Sequence, residues 1–327
     1  MGLSQAFIEQ HITAWEEWAR IRGYPHRVNW PARLFHHAPI ENAVGILTTG
    51  YLRSRSDPAN ACNRDVAGVG VIDNRHDAHG FVRIYFRPRT PTQFNIEGIR
   101  KPNDCQYGPA AHAPILVMFV LDARWVLAMA DIRFSERNMQ LCGTVICGTE
   151  AEFAAIPFEK VYHIGGISGD RSIIDHRAAE VLANSPLALE DCLLAVCCRS
   201  VAERETLLHL LGPAGQHWAD RILVSDDLRV FERRYPFVEE TAVGPDGFTV
   251  KINPRHDGGT IDLAVRAWDQ EGAQIIDFRN DQISPRPVNA ERWRIAYDLI
   301  AGRYRLQISI EGHLAFEAEL LLEDTLF

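Results

Sequence analysis

From Ser4 to Ile21 the residues Phe7, Ile8, Ile12, Trp15, Trp18 and Ala19 recur near helical spacing, and Gly23 and Pro25 end the run. The pattern predicts an amphipathic helix that covers a core or meets a partner. Arg33 to Phe35 reads as a short strand, and Ile40 to Gly50 as a helix closed by Gly50. β-branched and aromatic runs predict strands over Val82 to Phe86, Pro114 to Leu121, Val161 to Ile164 and Leu193 to Cys198. Ala202 to Leu211 reads as a helix after Ser200, while Arg177 to Leu182 fits strand or helix. Strands and helices interleave without regular β-α-β spacing, so the expected class is α+β.

Pro236 to Gly247 has the Pro, Gly and acidic content of a boundary loop. Beyond it the period becomes two: Phe248, Val250 and Ile252 alternate, as do Ile261, Leu263 and Val265, followed by Arg303 to Ile310 and His313 to Leu321. Four to seven antiparallel strands in a sandwich-like domain are expected there. The organisation anticipated is a helical extension over residues 1–32, a central domain over 33–238 and a β-rich accessory domain over 239–327.

Composition narrows the function. Hydrophobic residues make up 46% and charged residues 24% of 327, ordinary values for a folded chain. No stretch reaches the roughly 20 apolar residues needed to span a bilayer, and the start lacks the pattern of a signal peptide, so no membrane partner and a cytoplasmic location are expected. Seven cysteines without paired short spacings suggest reduced thiols and no metal site. The net charge of −9 excludes a generally basic nucleic-acid-binding surface. From Thr241 onward there are 9 Lys and Arg against 14 Asp and Glu, so the tail is the poorer place to grip phosphates.

Three strings carry candidate chemistry. The first, Leu34 to Leu47, places His36 and His37 at the end of a strand and Asn42 on the helix that follows. The second, Ile84-Tyr85-Phe86-Arg87-Pro88-Arg89-Thr90-Pro91, runs an aromatic strand into a Pro-Arg-x-Pro turn. Tyr85 offers a ring for stacking, and guanidinium groups offer planar, bidentate contacts to phosphate or base edges. From Phe81 to Lys101 the bases Arg83, Arg87, Arg89, Arg100 and Lys101 face one acid, Glu97. The third string, Asp175 to Leu182, carries Glu180 in an apolar setting. Gly165 to Asp170 lacks the Lys-Ser/Thr ending of a P-loop and reads instead as a target-selecting loop ahead of Glu180.

In this order, across about Arg33 to Leu211, the strings resemble the DarT family of nucleic-acid base ADP-ribosyltransferases. The resemblance implies a split β-sheet core that uses NAD as co-substrate and releases nicotinamide. It implies that His36 holds the nicotinamide-side ribose, that Asn42 supports that pocket and that Glu180 is the catalytic glutamate. Arg75, in Ile72-Asp73-Asn74-Arg75-His76, stands where the family carries a catalytic arginine; with a pKa above about 12 it suits charge stabilisation better than proton removal. Tyr85 is the expected stacking residue, and Arg87 and Arg89 the expected nucleic-acid contacts on the rim. The implied acceptor is a base in single-stranded DNA, thymine first, with RNA or guanine as the alternative and an inactive binding module as the contrasting class. The family also implies a toxin paired with an antitoxin that removes the modification. After the Pro-Arg-x-Pro turn the family often has a methionine and an aromatic, where this chain has Thr92, Gln93 and Phe94.

Overall fold

A computed structural model describes residues 2–60, 62–64, 78–108, 111–139, 141, 143–285 and 293–324. The N-terminal helix, α1 (Gln5–Ile21), starts where the Ser4 hydroxyl accepts from the Phe7 N–H, satisfying one of the donors a helix start leaves open. Ile8, Ile12 and Ala19 are buried, and Phe7, His11 and Trp15 pack against Phe153, Phe158 and Tyr162. The helix thus contributes its apolar stripe to the main core.

That core surrounds a seven-stranded sheet of β1 (Arg33–Pro39), β3 (Phe81–Tyr85), β4 (Leu116–Asp122), β5 (Arg133–Ser135), β6 (Glu180–Asn184), β8 (Leu193–Cys198) and β9 (Ile222–Val224). Its order is β5-β6-β3-β1-β4-β8-β9, antiparallel except between β8 and β9. Six of the seven residues of β4 are buried, as a strand covered on both faces requires. A separate antiparallel pair, β2 (Tyr51–Leu52) and β7 (Leu187–Ala188), lies outside it. Between β1 and β2 runs α2 (Ile40–Thr49), closed by Gly50 at φ 77°, a left-handed cap that glycine adopts without steric cost.

Two expectations fail here. Val161 to Ile164 is not a strand: a helical turn, Phe158–Val161, ends there, because Phe158 and Val161 are both drawn into the core one turn apart. Pro236 to Gly247 is not a loop but holds β10 (Phe237–Gly244), which pairs in a hairpin with β11 (Gly247–Asn253). Pro236 precedes the strand, where its missing N–H disturbs no ladder bond.

The remaining C-terminal strands are β12 (Ile261–Trp268), β13 (Gln274–Ile283), β14 (Trp293–Ala296), β15 (Gly302–Ile310) and β16 (His313–Leu322). They form sheets of order β10-β11-β14 and β13-β12-β15-β16, whose inward residues, among them Phe248, Val250, Val265, Ile308 and Phe316, build a second core. That core also takes in Ile99 and Ala202 from the preceding chain. Polar contacts cross at the same place: Ser200 Oγ donates to the Val238 carbonyl at 2.6 Å, and the Glu317 N–H donates to Thr206 Oγ1 at 3.1 Å. The class is α+β.

Candidate active site

Strand alternation delivers the site. On β3, Val82 and Ile84 enter the main core, leaving Arg83 and Tyr85 on the opposite face. Tyr85 lies directly across from Glu180, the first residue of β6, so the two share that face, and Arg83 sits diagonally from the glutamate. Glu180 is 1% exposed, and both its oxygens accept from Arg83, from Nε and Nη2 at 2.5 Å each. This is the fork-to-fork geometry that fixes a carboxylate in orientation as well as charge. Burial would depress the ionisation of the Arg83 guanidinium, but the Glu180 charge and hydrogen bonds outweigh it and hold Arg83 above its usual range. On the other flank, the Glu180 N–H donates to Ser135 Oγ at 3.2 Å, and that hydroxyl donates to the Arg137 carbonyl at 2.9 Å.

His36, on β1, meets β3 at the backbone, with Nδ1 at 2.9 Å from the Arg83 carbonyl. A carbonyl can only accept, so Nδ1 carries the proton and Nε2 presents a lone pair. Burial lowers the pKa of His36, partly opposed by that hydrogen bond, and the imidazole is neutral at pH 7. Its neighbour His37 lies on the other side of the strand, its ring 5.3 Å from that of Tyr85 and within 2° of parallel. Burial, then the charges of His36 and Arg83, lower the His37 pKa to about 3, while burial and Glu180 push the Tyr85 phenol up to about 12. Tyr85 is 9% exposed, with one ring face directed at His37.

Asn42 acts through a loop. Its Nδ2 donates to the Arg64 carbonyl at 2.8 Å, and its Oδ1 accepts from the Arg64 N–H at 2.9 Å. Both arms therefore grip the backbone of Arg64, whose side chain pairs with Glu41 on α2 at 3.2 Å. Arg75 lies outside the described residues.

The expected rim arginines are placed differently. Arg87 is 3% exposed and turns inward, donating to the carbonyls of Pro88, Val161 and His163 with its guanidinium over the Trp30 ring. A guanidinium bonded to backbone carbonyls in this way organises the interior and does not line a rim. Arg89 is partly buried and paired with Glu232 at 3.0 Å. The sequence reading also passed over Arg83, His37 and Ser135 as site residues. For Arg83 a signal existed, two residues before Tyr85 on a strand; for Ser135, 45 residues from Glu180, none did.

The model of one protein family, described as "ssDNA thymidine ADP-ribosyltransferase, DarT", matches residues 35–227, which hold His36, Asn42, Arg83, Tyr85 and Glu180. The chain belongs to the DarT family. It is an ADP-ribosyltransferase of that family. No curated protein matches it. Among solved structures, Thermus sp. 2.9 DarT in complex with ADP-ribosylated ssDNA aligns with TM-score 0.48 and 20% identity, over 61% of this chain and 96% of that one. The same DarT in complex with NAD+ gives 0.47 and 18%, over 61% and 97%. Thermosipho africanus DarTG in complex with ADP-ribose gives 0.45 and 14%, over 67% and 55%. Among the described residues, no helix is long and apolar enough to cross a membrane.

Proposed function

We propose that this DarT-family chain transfers ADP-ribose from NAD to a thymine of single-stranded DNA, and that residues 33–238 form the catalytic unit to which residues 1–32 and 239–327 are joined. The observation that carries the reading is the buried Glu180 carboxylate, held in one orientation by Arg83, whose own carbonyl orients His36.

In this reading His36 Nε2 accepts a hydrogen bond from a hydroxyl of the nicotinamide-side ribose. Its neutrality matters, because protonation of Nε2 would remove the acceptor. Glu180 has lone pairs beyond those engaged by Arg83, and one accepts from the ribose 2′-hydroxyl. As the bond from C1′ to the nicotinamide nitrogen breaks, positive charge builds on the ribose, and a carboxylate already oriented stabilises it without reorganising. Nicotinamide leaves neutral, a bond forms from C1′ to a ring nitrogen of the base, and that nitrogen's proton passes to solvent. Tyr85 supplies the remaining ring face against nicotinamide. Asn42 fixes the backbone at Arg64, and Arg75 would balance charge at the pyrophosphate. The biological role we propose is that of a toxin kept in check by an antitoxin that hydrolyses the ADP-ribosyl bond.

The test is incubation of the full chain with NAD and either a single-stranded DNA or an RNA oligonucleotide, followed by digestion and mass spectrometry of the nucleosides. ADP-ribosyl-thymidine is the expected product. A modified ribonucleoside or guanosine would move the acceptor, and nicotinamide release without a modified nucleoside would overturn the nucleic-acid reading.

A further inference from the structure

Three guanidinium groups from distant parts of the chain converge on one short stretch of backbone. Arg27 donates to the Tyr162 carbonyl, Arg87 to those of Val161 and His163, and Arg177 to those of His163 and Gly165, the last at 2.7 Å. Trp30 ties further pieces to the cluster. Arg87 lies over its ring at 5.1 Å, the His26 ring is 5.9 Å away, and its Nε1 donates to the Leu228 carbonyl at 3.0 Å, which brings Arg229 alongside. Arg22, at the end of α1, and Arg229 are exposed; His26, Arg89, His163 and Arg177 are half-buried.

The charge at this place runs against the rest of the molecule. Arg22, Arg27, Arg87, Arg89, Arg177 and Arg229 gather here in a chain of net charge −9, and the carboxylate that faces them, Glu232, is already paired with Arg89. Asp170 is taken by Lys160 at 3.1 Å. Backbone carbonyls satisfy hydrogen bonds but carry only partial charge, so the repulsion among the guanidinium groups is only partly offset, by Glu232 near Arg87 and Arg177 and by the Tyr24 ring 3.5 Å from the Arg27 guanidinium. It shows in His163, whose pKa is lowered by burial and then by Arg177, Arg27 and Arg87. Nε and Nη2 of Arg27 have no hydrogen-bond partner among the described residues. An anion would relieve this strain, and a chain of anions would suit the spread of exposed members.

The cluster adjoins the site. Arg87 follows Tyr85 by two residues, about 7 Å along an extended chain, and Arg177 precedes Glu180 by three. We propose that this surface binds backbone phosphates of a single-stranded nucleic acid, holding the strand that carries the target base at Glu180. The inference rests on the nucleic-acid reading above and deepens it. Arg22, His26, Arg27 and Arg229 lie outside residues 35–227, so the surface extends beyond the part of the chain that the family model matches.

The test uses the full chain and a fluorescent single-stranded oligothymidylate, with affinity measured by anisotropy at several salt concentrations, for wild type and for Arg22→Gln/Arg229→Gln. Each phosphate contact on a single strand contributes about 0.7 to the slope of log affinity against log salt, so losing two should flatten it by about 1.4. Affinity at low salt should fall at least about fivefold. Thermal melting checks the fold; if the double variant does not fold, Arg22→Gln alone is read, with a slope change of about 0.7. A wild-type slope in a folded variant, while the wild-type protein modifies the oligonucleotide, overturns this surface and leaves the proposed function standing. A wild-type protein that neither binds nor modifies any nucleic acid removes both.

Discussion

Replacing Arg83 with glutamine tests whether the fork on Glu180 is part of the chemistry or only a strand-to-strand contact. The substitution leaves a buried carboxylate without the guanidinium that now holds both its oxygens. Stripping one member from a buried ion pair costs about 3–5 kcal/mol. Arg83 is 27% exposed where Glu180 is 1%, so water meets part of the need, and about 2–3 kcal/mol is the share expected to fall on the charged, catalytically competent form. At 1.36 kcal/mol per factor of ten, transfer should drop about 30- to 150-fold. Arg83→Lys, a point charge without the fork, should fall between the two. The assay is nicotinamide release at saturating NAD, with KM for NAD recorded beside kcat. A folded Arg83→Gln with wild-type kcat would refute the reasoning.

Two other outcomes follow from the histidines. His36→Ala should weaken NAD binding by about 5- to 30-fold, the scale of losing one hydrogen bond and leaving the Arg83 carbonyl unpaired, and calorimetric titration reads it; unchanged affinity would make His36 structural. His37 and His11 are both held near pKa 3, each by burial first, against an ordinary 6.5. The unfolded chain therefore takes up protons from about pH 6.5 downward while the folded chain resists until about 3. The stability these neutral rings contribute is complete above 6.5 and is lost as pH falls, by up to about 1.4 kcal/mol per pH unit for each group. His11→Phe should remove its share, and urea denaturation between pH 7.5 and 5 checks this; equal acid sensitivity in the variant would contradict it.

Much of the frame was legible because local signals and tertiary packing agree. The helices Gln5–Ile21 and Val201–Leu211 follow Ser4 and Ser200, whose hydroxyls cap them, and Gly50 closes α2. β3, β4 and β8 fall close to where the apolar runs placed them. What escaped depends on partners remote in sequence. β10 is a strand because β11 pairs with it across a tight turn at Pro245 and Asp246, which composition reads as loop. β13 alternates poorly, with a buried Ile276 and Ile283 amid exposed residues, so its pattern shows only once β12 lies beside it. The same holds in the site. Glu180 stood out as a lone carboxylate in an apolar run, but its cation, Arg83, is 97 residues away and emerges only from the β3–β6 register. Arg87 looked like a rim residue because arginines usually are; three carbonyls and the Trp30 ring draw it inside.

The central claim is that Glu180 acts on the ribose during transfer and not in holding NAD. Single-turnover transfer by Glu180→Gln, measured with NAD affinity on the same preparation, addresses it most directly. Glutamine keeps the size and one oxygen acceptor but loses the charge, so the rate should fall at least about a hundredfold, the scale of one transition-state electrostatic contact, while NAD affinity stays within a few-fold of wild type. A folded variant that transfers ADP-ribose at near the wild-type rate, or one whose loss of rate is matched by an equal loss of NAD affinity, would contradict the account.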